Sequence, residues 1–372
     1  MNNQTTRRDW LTAGAASSFL ILKPHLIRAA QANSALSVGL IGCGRRGTAI
    51  SKLFVKNEFA KIAALCDIYD DQIEAASKLF SGARTFKDYH ELLASDVDAV
   101  YIATPPYLHP EHFEAAVKAR KHIFMEKPAG VDVAGCHRVA AAAKQADKTK
   151  RITIDYQQRY GKDYRKAYEI VRSGELGGIK MVRAAWIGGG LPVRQGHPAS
   201  EEKMRNWLFY RERSGDIIVE QNCHNLDVVN WFTSMHPERA SGYGGRAVRT
   251  NIGDIMDNLA ATFQFSNGLV FSYSANQFAV GFKDVGETFI CERGSVTTSR
   301  QGYKVYRKDG PPEEVETKGD ITQDAVNDFV EGARTGKIEN AAFAAAESTL
   351  TAILAREAIY SHREMTWQQI GA

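Results

Sequence analysis

The sequence predicts an α/β protein in which a doubly wound parallel sheet precedes a second α+β domain with an open, mainly antiparallel sheet. Two observations predict the first domain: strands alternate with helices between residues 36 and 155, and the first strand runs into a glycine-rich turn. A third observation predicts the second domain, because short β-rich runs follow residue 178, two of them joined by an Asn267-Gly268 hairpin turn. The 372 residues suffice for two domains of ordinary size.

Composition excludes several other classes of protein. The chain is 44% hydrophobic and 24% charged, which is ordinary globular usage and argues against disordered or membrane-spanning proteins. Its net charge of +4 is too small to indicate nucleic-acid binding, and we expect no membrane anchor. The five cysteines form no C-x-x-C motif and no H-E-x-x-H motif occurs, so we predict neither a disulfide framework nor a metal site. No G-x-S-x-G motif indicates a serine nucleophile.

The N-terminal segment differs from the rest of the chain. Arg7-Arg8 precedes an apolar or small stretch over residues 11–22, and Ala30-Gln31-Ala32 follows as a cleavage site. This order predicts a twin-arginine signal over residues 1–32, cleaved after Ala32, and hence a periplasmic or secreted protein that is exported folded. The alternative is an amphipathic helix in which the two arginines are incidental.

The first strand, Leu36–Ile41, leads into Gly42-Cys43-Gly44-Arg45-Arg46-Gly47 and then a helix to about Lys56. Gly42 permits a tight turn, Gly44 lets the backbone approach a pyrophosphate, and Gly47 lets the helix lie close to the strand. The free N–H groups at the start of the helix favour the same anion. This turn therefore indicates a Rossmann dinucleotide-binding domain.

The second strand, residues 61–66, ends in Asp67, a position suited to the hydroxyls of an adenosine ribose. A carboxylate there repels a 2′-phosphate, so NAD is favoured over NADP. Two alternatives stay open: Asp67 caps the helix that follows, or Arg45 or Arg46 accepts a 2′-phosphate and NADP is used.

Further elements follow in chain order. The pattern predicts strands at 99–103, 122–125 and 152–155, helices at 110–119 and 132–146, β-rich runs at 179–188, 258–265, 269–276 and 288–292, and closing helices at 324–334 and 341–360. We therefore place the first domain at residues 33–155 and the second at 156–372, with the closing helices able to pack back on the first domain.

Several short motifs together carry a family resemblance. They are the glycine turn, Asp67, Ala103-Thr104-Pro105, Glu126-Lys127-Pro128, the Arg-Ser-Gly-Glu-Leu-Gly turn at 172–177, and Glu-Gln-Asn-Cys-His-Asn-Leu-Asp at 220–227. In their order and spacing the chain resembles the glucose–fructose oxidoreductase and inositol dehydrogenase family, Gfo/Idh/MocA. The resemblance implies an NAD(P)-dependent oxidoreductase acting on CH–OH donors, a second domain that forms the substrate site, and a homo-oligomer, dimer or tetramer. It also implies a cofactor-binding set: Gly42, Gly44, Arg45, Arg46, Gly47, Asp67, Thr104, Pro105, His109, Glu126 and Lys127.

Three residues are candidates for catalysis. A cationic Lys127 can stabilise the negative charge that develops on a substrate oxygen, and His224, with an ordinary pKa near 6.5, can accept the proton. Glu220 precedes His224 by four residues, one helical turn, where the resembled family carries an aspartate. The alternatives are a solvated lysine before a turn proline and a structural histidine.

Substrate-binding candidates are polar and aromatic residues near the domain junction. Amides, a guanidinium and an aromatic face are suited to sugar hydroxyls and rings, which indicates Gln158, Arg159, Trp207 and Asn225. Each of these could instead serve in ordinary packing.

The expected function is oxidation of a secondary hydroxyl of a sugar, polyol or glycoside, with a small-molecule carbohydrate as the only predicted partner besides further copies of the chain. An exported enzyme has no free nicotinamide pool, so we expect tightly bound NAD that is recycled in the site. One alternative is an NAD-using glycoside hydrolase, lyase or epimerase that works by transient oxidation. A second is a non-catalytic nucleotide-binding protein.

Overall fold

The structure is a computed structural model that describes residues 35–372, and the predicted signal lies outside them. The first domain contains β1 (Leu36–Ile41), α1 (Arg45–Lys56), β2 (Ala60–Cys66), α2 (Asp70–Leu79), β3 (Arg84–Phe86), α3 (Tyr89–Ala94), β4 (Ala99–Ile102), α4 (His109–Lys118), β5 (His122–Met125), α5 (Val133–Gln145) and β6 (Ile152–Ile154). These bounds confirm the predicted strands and helices to within a few residues.

The six strands form one parallel sheet in the order β3-β2-β1-β4-β5-β6. The central strands β1, β4 and β5 are almost entirely buried, as expected where helices cover both faces of a sheet. The strand order reverses between β1 and β4, so the loops after these two strands diverge and leave a crevice at the carboxyl edge. The predicted doubly wound fold is confirmed.

The second domain is built on a nine-stranded sheet. Its elements are α6 (Lys162–Arg172), β7 (Ile179–Ile187), α7 (Glu202–Arg205), α8 (Arg211–Ser214), α9 (Ile217–Glu220), α10 (Cys223–Thr233), β8 (Arg239–Gly245), β9 (Asn258–Gln264), β10 (Val270–Asn276), β11 (Asp284–Cys291), β12 (Gly294–Ser299), β13 (Gly302–Arg307), β14 (Glu313–Glu316), α11 (Ile321–Thr335), α12 (Ala342–Ser361) and β15 (Met365–Thr366). The strands run in the order β14-β13-β12-β11-β7-β10-β9-β8-β15, and only β7 and β10 pair in parallel. The predicted mainly antiparallel sheet is confirmed.

Helix α12 is buried along most of its length and joins the two domains. On the first-domain side, the Thr349 hydroxyl accepts a hydrogen bond from the Ala129 backbone N–H at 3.0 Å. On the other side, the Ser348 hydroxyl donates to Asp227 at 2.7 Å. Helix α11 packs on α1, where Phe329 meets Phe54 edge to face. The closing helices therefore pack back on the first domain.

One face of the nine-stranded sheet packs against helices, whereas the other carries small and polar side chains that no other element of residues 35–372 covers. Ala260, Thr262 and Ser274 on this face are exposed. The expected homo-oligomer stays a prediction.

All five cysteines are buried free thiols. Within the described residues, no helix is long and apolar enough to span a bilayer.

Behind α10, a carboxyl group lies inside the second domain. Glu287 of β11 is 2% exposed and accepts hydrogen bonds from Asn225 at 2.6 Å, Thr298 at 2.6 Å and Tyr164 at 3.4 Å. Burial raises the pKa of Glu287 to about 7, against the opposing effect of these hydrogen bonds. The folded protein therefore holds this proton more tightly than the unfolded chain does.

This raised pKa makes stability pH-dependent. The contribution of Glu287 is fully present below its unfolded pKa and is lost as the pH rises through about 7. Glu287→Gln stays neutral, so we expect its free energy of unfolding to exceed that of the wild type by about 1–3 kcal/mol at pH 8, with little difference at pH 5. Urea unfolding at both pH values measures this, with Glu292→Gln, an exposed carboxyl, as control. If the free energies of unfolding of Glu287→Gln and the wild type differ equally at both pH values, the raised pKa of Glu287 is contradicted.

Candidate active site

A cleft of about 420 Å³ lies between the two domains at the carboxyl edge of the parallel sheet. The structure brings many of the sequence-predicted residues into its wall, namely Arg45, Arg46, Thr104, His109, Glu126, Lys127, Trp207, Glu220 and His224. The cleft therefore combines the cofactor-binding and catalytic candidates in one space.

The glycine turn has the shape that a dinucleotide needs. Gly42 has φ +98°, and a Cβ there would lie 2.7 Å from the carbonyl of Ala103. A Cβ on Gly47 would lie 2.0 Å from the Gly42 oxygen, whereas one on Gly44 would meet only an Arg194 nitrogen at 3.7 Å. Helix α1 also begins without a side-chain cap, so among residues 35–372 no side chain caps its first-turn N–H groups. A pyrophosphate fits this open turn.

Asp67 shapes the neighbouring loop. Its Oδ2 accepts the Cys43 N–H at 2.8 Å, and its Oδ1 accepts the Tyr69 N–H at 3.0 Å. Burial raises the pKa of Asp67, and these two hydrogen bonds oppose the rise. The carboxylate therefore joins the glycine turn to the end of β2, whereas α2 has Tyr69 at its N-cap position and no side-chain cap.

Arg46 is committed to two carboxyl groups. Its Nε donates to Glu126 Oε1 at 2.9 Å, and a terminal nitrogen donates to Asp155 at 2.5 Å. Burial and the nearby charge of Glu126 raise the pKa of Asp155 to about 8. Burial also acts to raise the pKa of Glu126, but Arg46 and a hydrogen bond from Tyr101 outweigh it, so that pKa is lowered. Glu126 is thus the anion that compensates Arg46.

His109 links two loops of the cofactor edge. Its Nδ1 lies 2.7 Å from the Pro128 carbonyl, and its Nε2 lies 2.9 Å from the Thr104 carbonyl. Burial lowers its pKa. Both ring nitrogens face backbone oxygens, so His109 positions the loops after β4 and β5.

Lys127 and Glu220 form an ion pair across the domain boundary. The Lys127 Nζ donates to Glu220 Oε1 at 2.7 Å and also to the Glu220 carbonyl. Burial lowers the pKa of Lys127, but Glu220 more than compensates, so the pKa lies above its ordinary value. The amine is therefore a fixed positive charge in the cleft.

His224 is 5% exposed and stacks on Trp186, with ring centroids 5.9 Å apart and an interplanar angle of 18°. Burial, followed by the charges of Lys127, Arg300 and Arg46, holds its pKa well below 6.5. The expectation of an ordinary pKa was therefore wrong, and the ring is neutral at pH 7. The single helical turn predicted for Glu220 and His224 is also wrong, because α9 ends at Glu220 and α10 begins at Cys223.

Three predicted substrate contacts lie outside the cleft. Arg159 forms a double hydrogen bond with the buried Asp227 at 2.8 Å, and Asn225 donates to Glu287 at 2.6 Å. Gln158 is 2% exposed. Because none of the three lines the cleft, their assignment to the substrate is corrected to packing.

Other cleft residues were missed from the sequence. Gln157 precedes the predicted pair by one position, Trp186 lies at the end of β7, and Arg300 lies in the turn between β12 and β13. An aromatic residue at the end of a β-rich run was the only signal for Trp186, and nothing local indicated Arg300.

A segment that we call the strap, residues 188–213, crosses from the second domain onto the first. Arg205 donates two hydrogen bonds to Asp71, at 2.8 and 2.9 Å, and its guanidinium carbon lies 3.7 Å from the centre of the Tyr69 ring. Arg213 donates to the Tyr107 hydroxyl at 2.9 Å. Arg194 lies beside the glycine turn, 3.7 Å from where a Cβ on Gly44 would be, so the strap contacts the first domain at this turn as well as after β2 and β4.

The glycine turn of the doubly wound domain opens into a cleft that contains a lysine, a histidine and carboxylates. This combination defines a two-domain, dinucleotide-binding oxidoreductase. Residues 36–154 match the oxidoreductase family with a NAD-binding Rossmann fold (GFO_IDH_MocA), and residues 164–297 match the GFO/IDH/MocA C-terminal domain. The chain belongs to the Gfo/Idh/MocA oxidoreductase family.

Several relatives are dehydrogenases by name. Myo-inositol 2-dehydrogenase of Thermotoga maritima is 25% identical over 236 residues, covering 63% of this chain and 66% of the relative. Inositol 2-dehydrogenase of Salmonella typhimurium is 29% identical over 200 residues, covering 53% and 54%. The matched stretches thus span less than two thirds of these curated relatives. The solved levoglucosan dehydrogenase complex with NADH and levoglucosan shares the fold, with a TM-score of 0.77 at 20% identity over 90% of this chain and 100% of that one.

The electrostatics of the cleft predict a measurable shift in the His224 titration. Lys127→Met removes a charge that lowers the pKa of His224 and leaves the Glu220 carboxylate unpaired, so that pKa should move upward toward 6.5. NMR titration of the His224 ring measures it. Lys166→Met, which removes an exposed lysine paired with Glu169, should leave the titration unchanged. A lower pKa in Lys127→Met would contradict this arrangement.

Proposed function

We propose that this chain is an exported NAD-dependent oxidoreductase that oxidises a secondary hydroxyl of a sugar, polyol or glycoside and retains its NAD through turnover. The observation that carries the proposal is the placement of Lys127, Glu220 and His224 in one cleft with the glycine turn. The names of the relatives, inositol and levoglucosan dehydrogenases, support this substrate class.

The chemistry follows from the charges of the cleft. NAD, when bound, supplies the acceptor for the hydride. The Lys127 ammonium, held by Glu220, stabilises the negative charge on the substrate oxygen. His224 is neutral and can accept the hydroxyl proton, and within the described residues its Nδ1 has no hydrogen-bond partner. The low pKa keeps this base available well below neutral pH.

Two features favour NAD over NADP. Asp67 places a carboxylate beside the glycine turn, which disfavours a 2′-phosphate. Arg46 is engaged by Glu126 and Asp155, and Arg205 by Asp71 and Glu201, so neither cation is free for that phosphate.

The strap supports retention of the cofactor. Its contacts with Asp71, Tyr69 and Tyr107 hold it against the first domain, and the cofactor is released when these contacts break. Retention suits the export predicted from Arg7-Arg8 and the apolar stretch that follows them, because a folded protein can carry its cofactor along. A retained NADH is then reoxidised in the same site by a second carbonyl compound.

The direct test is to denature the purified protein and assay the supernatant for NAD and NADP. We expect about one NAD per chain and reduction of the bound NAD, seen at 340 nm, when inositols or sugars are added. A product that forms without net NADH would favour the glycosidase, lyase or epimerase alternative. Protein that carries no nucleotide would contradict retention, and protein that no carbohydrate reduces would contradict the dehydrogenase.

The catalytic assignment predicts separate losses of rate. Lys127→Met should slow reduction of the bound NAD by about 10²–10³-fold, because an electrostatic stabiliser is lost. His224→Gln should slow it by about 10²–10⁴-fold, because the base is lost. Single-turnover absorbance measures both, and nucleotide content and thermal unfolding verify that each variant is folded and loaded. Unchanged rates would favour the non-catalytic alternative.

Arg205→Met tests the strap. Loss of the double hydrogen bond to Asp71 and of the contact with Tyr69 should speed the release of NAD by about fivefold. Exchange of bound NAD against an excess of labelled NAD measures the release rate. Lys203→Met is the matched control, since Lys203 lies on the same strap and, within the described residues, forms its ion pair with the exposed Glu212 of the strap itself. Equal release rates in the two variants would contradict the role of Arg205.

A further inference from the structure

A second space of about 330 Å³, which we call the outer chamber, adjoins the cleft at Trp186. Its wall belongs entirely to the second domain and consists of Trp186, Gly188, Gly189, Phe282, Lys283, Val285, Arg300 and Gln301. Trp186 and Arg300 also line the cleft, so the two spaces share one wall. No residue of the first domain lines the outer chamber, and a dinucleotide held at the glycine turn therefore does not account for it.

The wall of the outer chamber carries two positively charged side chains and no acidic one. Neither Arg300 nor Lys283 forms an ion pair with any of residues 35–372, whereas Arg46 and Arg205 of the cleft are both paired. Burial lowers the pKa of Arg300, and Tyr164 and Asp155 oppose this effect only in part, so the guanidinium has no fully compensating charge beside it. An anion bound here would provide one.

The chamber also offers flat apolar surface. The Arg300 guanidinium lies 5.9 Å from the centre of the Trp186 ring, and Phe282 is 63% exposed at the rim. Glycines at 188 and 189 leave open space, since a Cβ on Gly188 would meet no atom within 4 Å. A planar or pyranose ring can therefore lie against these aromatic faces while its charged group reaches Arg300.

We propose that the outer chamber binds a second ring attached to the reacting sugar, and that this ring carries a carboxylate or another anionic group held by Arg300 and Lys283. The preferred substrate is then an acidic glycoside or disaccharide rather than a free polyol. This inference rests on the proposed function, because the reacting sugar occupies the cleft next to Lys127 and His224. The anionic ring has two sources, an aromatic acid or a uronic acid.

Calorimetric binding to the NAD-loaded protein tests this with matched pairs. One arm compares phenyl with 4-carboxyphenyl β-glycosides of glucose, galactose and mannose. The other compares cellobiose with cellobiouronic acid, which is acidic on its second ring. We expect the acid of at least one pair to bind about tenfold more tightly than its neutral partner. The arm that shows the preference identifies the source of the ring.

Arg300→Gln should abolish most of this preference, and Lys283→Gln part of it. Arg239→Gln is the control. Arg239 pairs with the exposed Glu364 and lines neither space, so this variant should retain the preference for the acid. The inference is overturned if no acid outbinds its neutral partner, if nothing in the panel binds, or if the preference survives Arg300→Gln. Reduction of bound NAD by neutral sugars is scored separately, so a failed inference is distinguishable from a failed dehydrogenase.

Discussion

The ion pair between Lys127 and Glu220 determines the character of the cleft. Its side chains are only 10% and 17% exposed, and a buried charge without a partner is strongly destabilising. Because Lys127 follows β5 and Glu220 ends α9, the pair can form only when the two domains meet. The pair keeps Lys127 protonated in the cleft, and the Lys127 charge adds to the effect of burial in lowering the pKa of His224. One contact thus fixes the cation of the cleft and contributes to the neutrality of its base.

Buried polar contacts hold the domains at the separation that this ion pair needs. Helix α12 contributes Arg356, which donates to the Val131 carbonyl at 2.6 Å and to the Gly215 carbonyl at 3.1 Å. Tyr360 donates to Asp216, a residue with φ +85° that precedes α9. The helix therefore supports from behind the short segment that places Glu220. The strap closes the opposite side, where its contacts are more exposed and easier to break.

The sequence predicts most of the first domain because its information is local. Alternating apolar strands and helices, a glycine turn and Asp67 lie within about forty residues and need no distant partner to be interpreted. The second domain is less predictable: β12 to β14 have one exposed, polar face, and their pattern is weak. Arg159 and Asn225 have side chains suited to sugar, yet they pair with Asp227 and Glu287, which lie 68 and 62 residues away. Arg300 reaches the cleft only because the sheet brings a remote hairpin turn there.

The five buried free thiols have a consequence for where such a chain can mature. Burial raises the pKa of Cys66 and of Cys223 to about 12, so almost no reactive thiolate exists at neutral pH. Once the chain is folded, glutathione and oxidising folding catalysts therefore meet no ionised, exposed thiol. The folded protein should then be about equally stable in a reducing and in an oxidising environment.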